Sequence, residues 1–215
     1  MSPAEPPNRP DLPHRSSRTL VLGGARSGKS AYAERLAHTL AGTESVRYLA
    51  TSRRDPSDVD WEDRVEQHRV RRPATWTTIE TAPGRDLAEQ LRSSTDAPVT
   101  LVDDLGTWLT VEFDAAGAWD LPRGALAGEV EELVTSVRDY PGDLVLVTPE
   151  VGLGVIPETR SGRLFRDEIG ALNARLAEVC DRAVLVVAGL TMTLKDLPAA
   201  NASGTTVPSR TRGQA

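Results

Sequence analysis

Residues 23–30 read GGARSGKS and satisfy the phosphate-binding pattern G-x-x-x-x-G-K-[ST] at each required position. A loop of this kind grips a triphosphate because successive backbone N–H groups turn inward around the phosphate chain. Glycine angles at Gly23, Gly24 and Gly28 permit that path, with Ala25, Arg26 and Ser27 filling the loop. Lys29 is placed to reach the outer phosphates, and the Ser30 hydroxyl is the expected ligand of Mg²⁺. The flanks suit the motif. Thr19–Leu22 is a short apolar run fit for a buried strand, and Ala33, Leu36, Ala37 and Leu40 recur at helical spacing over residues 31–41. The helix start adds unpaired N–H groups and the positive end of its dipole. The chain is expected to bind a nucleoside triphosphate.

Two further groups of residues could share in that chemistry. Asp103 ends the apolar run VTLV, and a carboxylate at such a strand end can hold the Mg²⁺ that Ser30 holds. Aspartate is also a favoured helix N-cap, and Asp104 competes for either role. The second group is DRVEQHRVRRP, residues 63–73, where His68 stands among Arg64, Arg69, Arg71 and Arg72 in an otherwise acidic chain. Neighbouring cations keep an imidazole neutral, and a neutral imidazole is a good nucleophile toward phosphorus. Read alone, the same stretch is equally a solvated basic helix end. His14 falls in a terminal segment and His38 on the first helix, both read as surface positions.

The elements that must position these residues alternate along the chain. Strands are expected at 46–50, 76–80, 99–102, 143–147 and 183–187, the last closing the sheet. Helices are expected at 58–70, 86–93, 105–113, 123–138 and 162–179. Apolar strands separated by helices predict a three-layer α/β fold of the P-loop NTPase type, its mostly parallel sheet covered on both faces. Ligands of such sheets bind beyond the carboxyl ends of the strands, a rule that marks Gly23–Ser30, Thr51, Asp103, Asp104, Pro149 and Glu150 as rim positions. Arg160, Arg163 and Arg166 follow that rim and are candidates for substrate or phosphate contacts.

With 215 residues, one domain is the default, expected over residues 18–197. Residues 1–17 carry five prolines, and residues 198–215 lack apolar periodicity; both read as disordered tails. A net charge of −6 argues against a nucleic-acid partner held through phosphates. Cys180 is the one cysteine, so no internal disulfide exists, and its apolar neighbours place it in the core. No apolar run approaches the roughly 20 residues of a membrane span, and no signal peptide is evident, so the expected compartment is the cytoplasm.

Three motifs in order carry a family resemblance over roughly residues 18–195. GGARSGKS, the segment QHRVRRPATW (67–76) and the run VTPEVGLGVIPETRSGRLFRDEIGALNARLA (147–177), with AVLVVAGL (183–190) after it, resemble the bifunctional adenosylcobinamide kinase/adenosylcobinamide-phosphate guanylyltransferase family of cobalamin biosynthesis. The resemblance implies that ATP or GTP phosphorylates the aminopropanol hydroxyl of adenosylcobinamide. It also implies that GMP from GTP is then carried on His68 to adenosylcobinamide phosphate, giving the GDP adduct. It further implies a homo-oligomer, a trimer. Gln67, Pro149 and Asp104 depart from the family pattern, which has His, Asn and frequently Cys there. A small-molecule kinase with the same loop would have no use for His68. A regulatory GTPase would need an N-K-x-D segment, which the sequence lacks.

Overall fold

The computed structural model describes residues 16–51, 72–81, 83, 86–93 and 99–197. In chain order these form β1 (Arg18–Gly23), α1 (Lys29–Ala41), β2 (Val46–Ala50), β3 (Thr77–Glu80), α2 (Asp86–Arg92) and β4 (Val99–Asp103). They continue with α3 (Leu105–Ala115), a 3-10 turn at Ala118–Asp120, α4 (Ala127–Arg138), β5 (Asp143–Pro149), α5 (Arg160–Val179), β6 (Arg182–Val187) and β7 (Leu190–Asp196). The seven strands make one sheet in the order β3-β2-β4-β5-β1-β6-β7, parallel throughout except for the β6–β7 pair. The expected mostly parallel α/β fold is what the chain adopts.

Strand alternation divides the core in two. Leu20 and Leu22 of β1, Val102 of β4, and Leu144 and Leu146 of β5 face α2, α3, α4 and α5, meeting Leu87, Leu105, Leu133 and Leu172. Val21, Leu101, Val145, Val147 and Val184 face the opposite way, toward Ala33, Ala37 and Ala41 of α1. Alanine at four-residue spacing gives α1 a smooth stripe, so the helix that starts at the phosphate loop lies close on the sheet. Fully burying each leucine contributes roughly 1.5–3 kcal/mol, so this division dominates the placement of the rim.

Polar ties fasten the ends. Thr100 Oγ1 and Tyr140 Oη lie 2.6 Å apart inside the core. Lys195 of β7 donates to the carbonyls of Ala177, Glu178 and Cys180 at 2.8, 3.1 and 2.7 Å, closing the C-terminus of α5. Cys180 is buried as expected, and burial pushes its thiol up to about 12.

Three differences from the sequence pattern have physical causes. The apolar run at 183–187 does not close the sheet: β7 adds an antiparallel edge. Its residues are exposed on both faces, apart from partly buried Lys195, so no burial pattern announced it. The connection is a two-residue hairpin turn with Ala188 at φ 50° and Gly189 at φ 79°, the type whose twist matches paired strands. Helix α4 starts at Ala127 rather than 123 because Gly124 sits at φ 79°, outside the helical region. Helix α5 starts two residues early, at Arg160, where Thr159 Oγ1 accepts from Gly162 N at 3.1 Å. The helix expected at 58–70, with His68 and the arginines before Arg72, lies outside the described residues, as do most of the two terminal segments. Ser17, read as tail, belongs to the body: its N–H donates to Asp143 Oδ1 at 2.7 Å.

Candidate functional site

The rim is built where β1, β2, β4 and β5 end. Two glycines of the phosphate loop are required by the chain itself. A Cβ on Gly23 would stand 2.4 Å from Ser27 Oγ and 2.8 Å from the Val186 carbonyl, and Gly28 opens α1 at φ 93°. Gly24 differs: its φ is not positive and a Cβ there would meet nothing within 4 Å, which leaves the loop open on that side. The left-handed residue between them is Arg26, at φ 55°. Ser27 ties the loop together. Its N–H donates to the Gly24 carbonyl at 3.3 Å, its carbonyl accepts from Gly189 N at 2.8 Å, and its Oγ accepts from Lys29 N at 3.3 Å.

The two aspartates separate at once. Asp103 Oδ1 accepts from Ser30 Oγ at 3.2 Å, bringing together the two residues expected to share a cation. Asp104 is the N-cap of α3: its Oδ1 accepts from Gly106 N at 2.6 Å and Thr107 N at 3.4 Å. Its Oδ2 faces Lys29 Nζ at 3.6 Å. Burial, reinforced by the charge of Asp103 beside it, pushes the Asp104 carboxyl above the usual carboxylate range, with Lys29 opposing. Thr51 Oγ1 donates to the Asp104 carbonyl at 2.6 Å and accepts its N–H at 3.0 Å, so the end of β2 holds both peptide groups of that residue.

Tyr48 completes the corner, and the sequence reading missed it. Its Oη donates to Asp103 Oδ2 at 2.6 Å from inside the sheet, with only 2% of the residue exposed. The guanidinium of Arg72 lies 3.4 Å over its ring, and Trp76 tilts against it at 6.3 Å between centroids. Burial and then the Asp103 charge push the Tyr48 hydroxyl up, so it remains a donor across the working pH range. A signal existed. A tyrosine at the centre of an apolar strand needs a partner for its hydroxyl.

The β5 end is held by another residue not singled out. Asn173 of α5 accepts from Thr148 Oγ1 at 2.6 Å and donates to the Pro149 carbonyl at 3.0 Å. Pro149 packs against α3 so closely that a Cβ on Gly106 would come within 2.5 Å of its Cγ. Glu150 N donates to the Gly23 carbonyl at 3.1 Å, while its Oε1 accepts from Gly152 N at 2.6 Å, turning that side chain to its own loop. Arg160 and Arg163 are tied to backbone carbonyls. Arg160 donates to the carbonyls of Trp119, Asp120 and Leu121, and Arg163 to those of Pro157 and Glu158. Arg160 also lines a surface cavity of about 670 Å³, together with Thr110, Trp119, Thr159 and Phe165.

Oxygen donors from a hydroxyl and a carboxylate suit Mg²⁺, which takes few protein ligands and keeps water and phosphate oxygens for the rest. Among the described residues no group of three or more His, Cys, Asp or Glu side chains is placed to hold a metal.

The comparisons with known proteins cover nearly all of the described body. Residues 19–194 match the family described as cobinamide kinase / cobinamide phosphate guanyltransferase. The bifunctional adenosylcobalamin biosynthesis protein CobP of Pseudomonas aeruginosa is 43% identical over 182 residues, 84% of this chain and 99% of that protein. The proteins called CobU of Salmonella typhimurium and Escherichia coli are 38% and 36% identical, each covering 82% of this chain and 98% of the relative. A match of this extent spans the phosphate loop, the aspartate pair and the β5 rim together. The chain belongs to the cobinamide kinase / cobinamide phosphate guanyltransferase family.

Proposed function

We propose that this protein phosphorylates the aminopropanol hydroxyl of adenosylcobinamide with ATP or GTP, then transfers GMP from GTP to the resulting adenosylcobinamide phosphate. The family match over residues 19–194 carries this reading. In the kinase step the loop amides and Lys29 face the transferring phosphoryl group and stabilise charge as it leaves the nucleotide. Ser30 and Asp103 would hold Mg²⁺, which neutralises charge on the phosphate oxygens when bound. Asp104 keeps Lys29 aimed across the loop, and its α3 N-terminus sits on the same rim.

The guanylyl step belongs to His68. Its imidazole attacks the α-phosphorus of GTP, a phosphorus–nitrogen bond forms, and the bond to pyrophosphate breaks. The phosphate of the acceptor then displaces the imidazole and takes the GMP. Dividing one difficult transfer into two is the advantage of a covalent intermediate. The protein works on these small molecules in the cytoplasm as a homo-oligomer, a trimer. The apolar stripe Leu190, Met192 and Leu194 along the sheet edge supports association.

Labelling tests both halves. The protein is expected to retain label from α-labelled GTP and none from γ-labelled GTP, and acid but not base should strip it, as a phosphorus–nitrogen bond requires. His68→Ala should lose the label and keep much of the kinase step. Lys29→Ala should lose kinase turnover by a factor of 100 or more, the size of loss seen when one electrostatic donor is removed. Label retained by His68→Ala would remove that residue from the mechanism. An unlabelled wild type with kinase activity intact would leave a kinase alone.

A further inference from the structure

Tyr48 is more than core filling. Phenylalanine would bury the same ring in β2, yet this chain places a hydroxyl 2.6 Å from Asp103 Oδ2 while Ser30 Oγ lies 3.2 Å from Oδ1 of the same carboxylate. A carboxylate turns easily about its last torsion, which is broad and two-fold. With a donor on each oxygen it has one favoured orientation, and the oxygen toward Ser30 is fixed by the bond on the other side. The tyrosine is itself held: Arg72 covers its ring at 3.4 Å, Trp76 leans on it, and the residue is 2% exposed. A cation over the ring face also draws electron density from the hydroxyl and makes it a stronger donor.

We propose that Tyr48 is a positioning residue for the magnesium–nucleotide corner, setting the Asp103 carboxylate with Oδ1 toward Ser30, and that Arg72 holds the tyrosine in that pose. The inference rests on the reading of Ser30 and Asp103 as the residues that hold Mg²⁺. Side chains of this outer kind leave no contact with the nucleotide, and their removal costs metal affinity tenfold to a hundredfold in comparable sites.

Binding of a non-hydrolysable GTP analogue, followed by calorimetry at a series of Mg²⁺ concentrations and in EDTA, tests it without turnover. Tyr48→Phe is expected to raise the Mg²⁺ needed for half-maximal binding by about tenfold or more, with binding in EDTA and the thermal midpoint close to wild type. In an Asp103→Asn background the same substitution should add nothing, because the hydroxyl acts only through that carboxylate. Arg72→Met, which leaves the hydroxyl in place, should shift the Mg²⁺ requirement in the same direction by less, and it stands in if Tyr48→Phe does not fold. An unchanged Mg²⁺ requirement in Tyr48→Phe and Arg72→Met, or losses that add in the double variant, would overturn the assignment. Wild-type binding indifferent to Mg²⁺ would instead overturn the metal reading of Ser30 and Asp103 and this inference with it.

Discussion

Asp103 and Asp104 are neighbours in the chain with opposite surroundings. Asp103 is met by two hydroxyls, whereas Asp104 caps a helix and faces a lysine. Burial still makes the ionised form of Asp104 costly, since its carboxyl is pushed upward on balance. The sign follows from linkage. A carboxyl whose folded pKa lies above the unfolded value binds more protons in the folded state, so stability falls as pH rises between the two. Asn keeps the capping oxygen and removes the charge. The difference in thermal midpoint between Asp104→Asn and wild type should therefore grow in the variant's favour from about pH 4 to pH 7. A difference that shrinks with rising pH would mean that the Lys29 pair outweighs desolvation. Nucleotide turnover should fall in the same variant, because Lys29 loses its counter-charge.

At the scale of elements, the parallel strands were legible because their periodicity is strong. The run VTLVD is buried at four positions, three of them apolar, and ends in the acid that meets Ser30. GGARSGKS was legible for the same reason, since the spacing of its fixed residues admits few other uses. What escaped were residues whose role comes from pairing across the sheet. Tyr48 meets Asp103 from 55 positions away, and Asn173 reaches Thr148 across 25; the hydroxyl within β2 calls for a partner without saying which, and nothing local in α5 marks Asn173. Strand β7 escaped because neither face is buried. Its one inward tie is a lysine. Lys195 fills three carbonyls at the end of α5, so Lys195→Ala should cost about 1–2 kcal/mol of stability, an estimate from charge-assisted bonds at a helix terminus. A denaturant titration in which the midpoint stays put would show water replacing the ammonium at no cost.

Across the whole molecule, the β7 edge of the sheet presents an exposed apolar stripe. Leu190, Met192 and Leu194 are 76%, 60% and 55% exposed on an edge strand, an arrangement that proteins avoid unless something covers it. In the oligomeric reading a second copy covers it. Met192→Glu puts a charge in the middle of that stripe and should shift the protein toward monomer in light scattering, with the secondary-structure signal unchanged. An unaltered mass would place the contact between copies elsewhere.

The hairpin that carries this stripe has another consequence. Tips of two-residue turns at a sheet edge are where engineers open chains, graft loops and permute termini, because such tips usually tolerate it. Here the tip is masonry under the phosphate loop: Gly189 donates its N–H to the Ser27 carbonyl at 2.8 Å, and its Cα lies 3.4 Å from where a side chain on Gly28 would begin. One inserted residue would slide that support away from the loop while leaving the sheet paired. The part of this chain that looks most expendable on a topology diagram is a place where it cannot be lengthened.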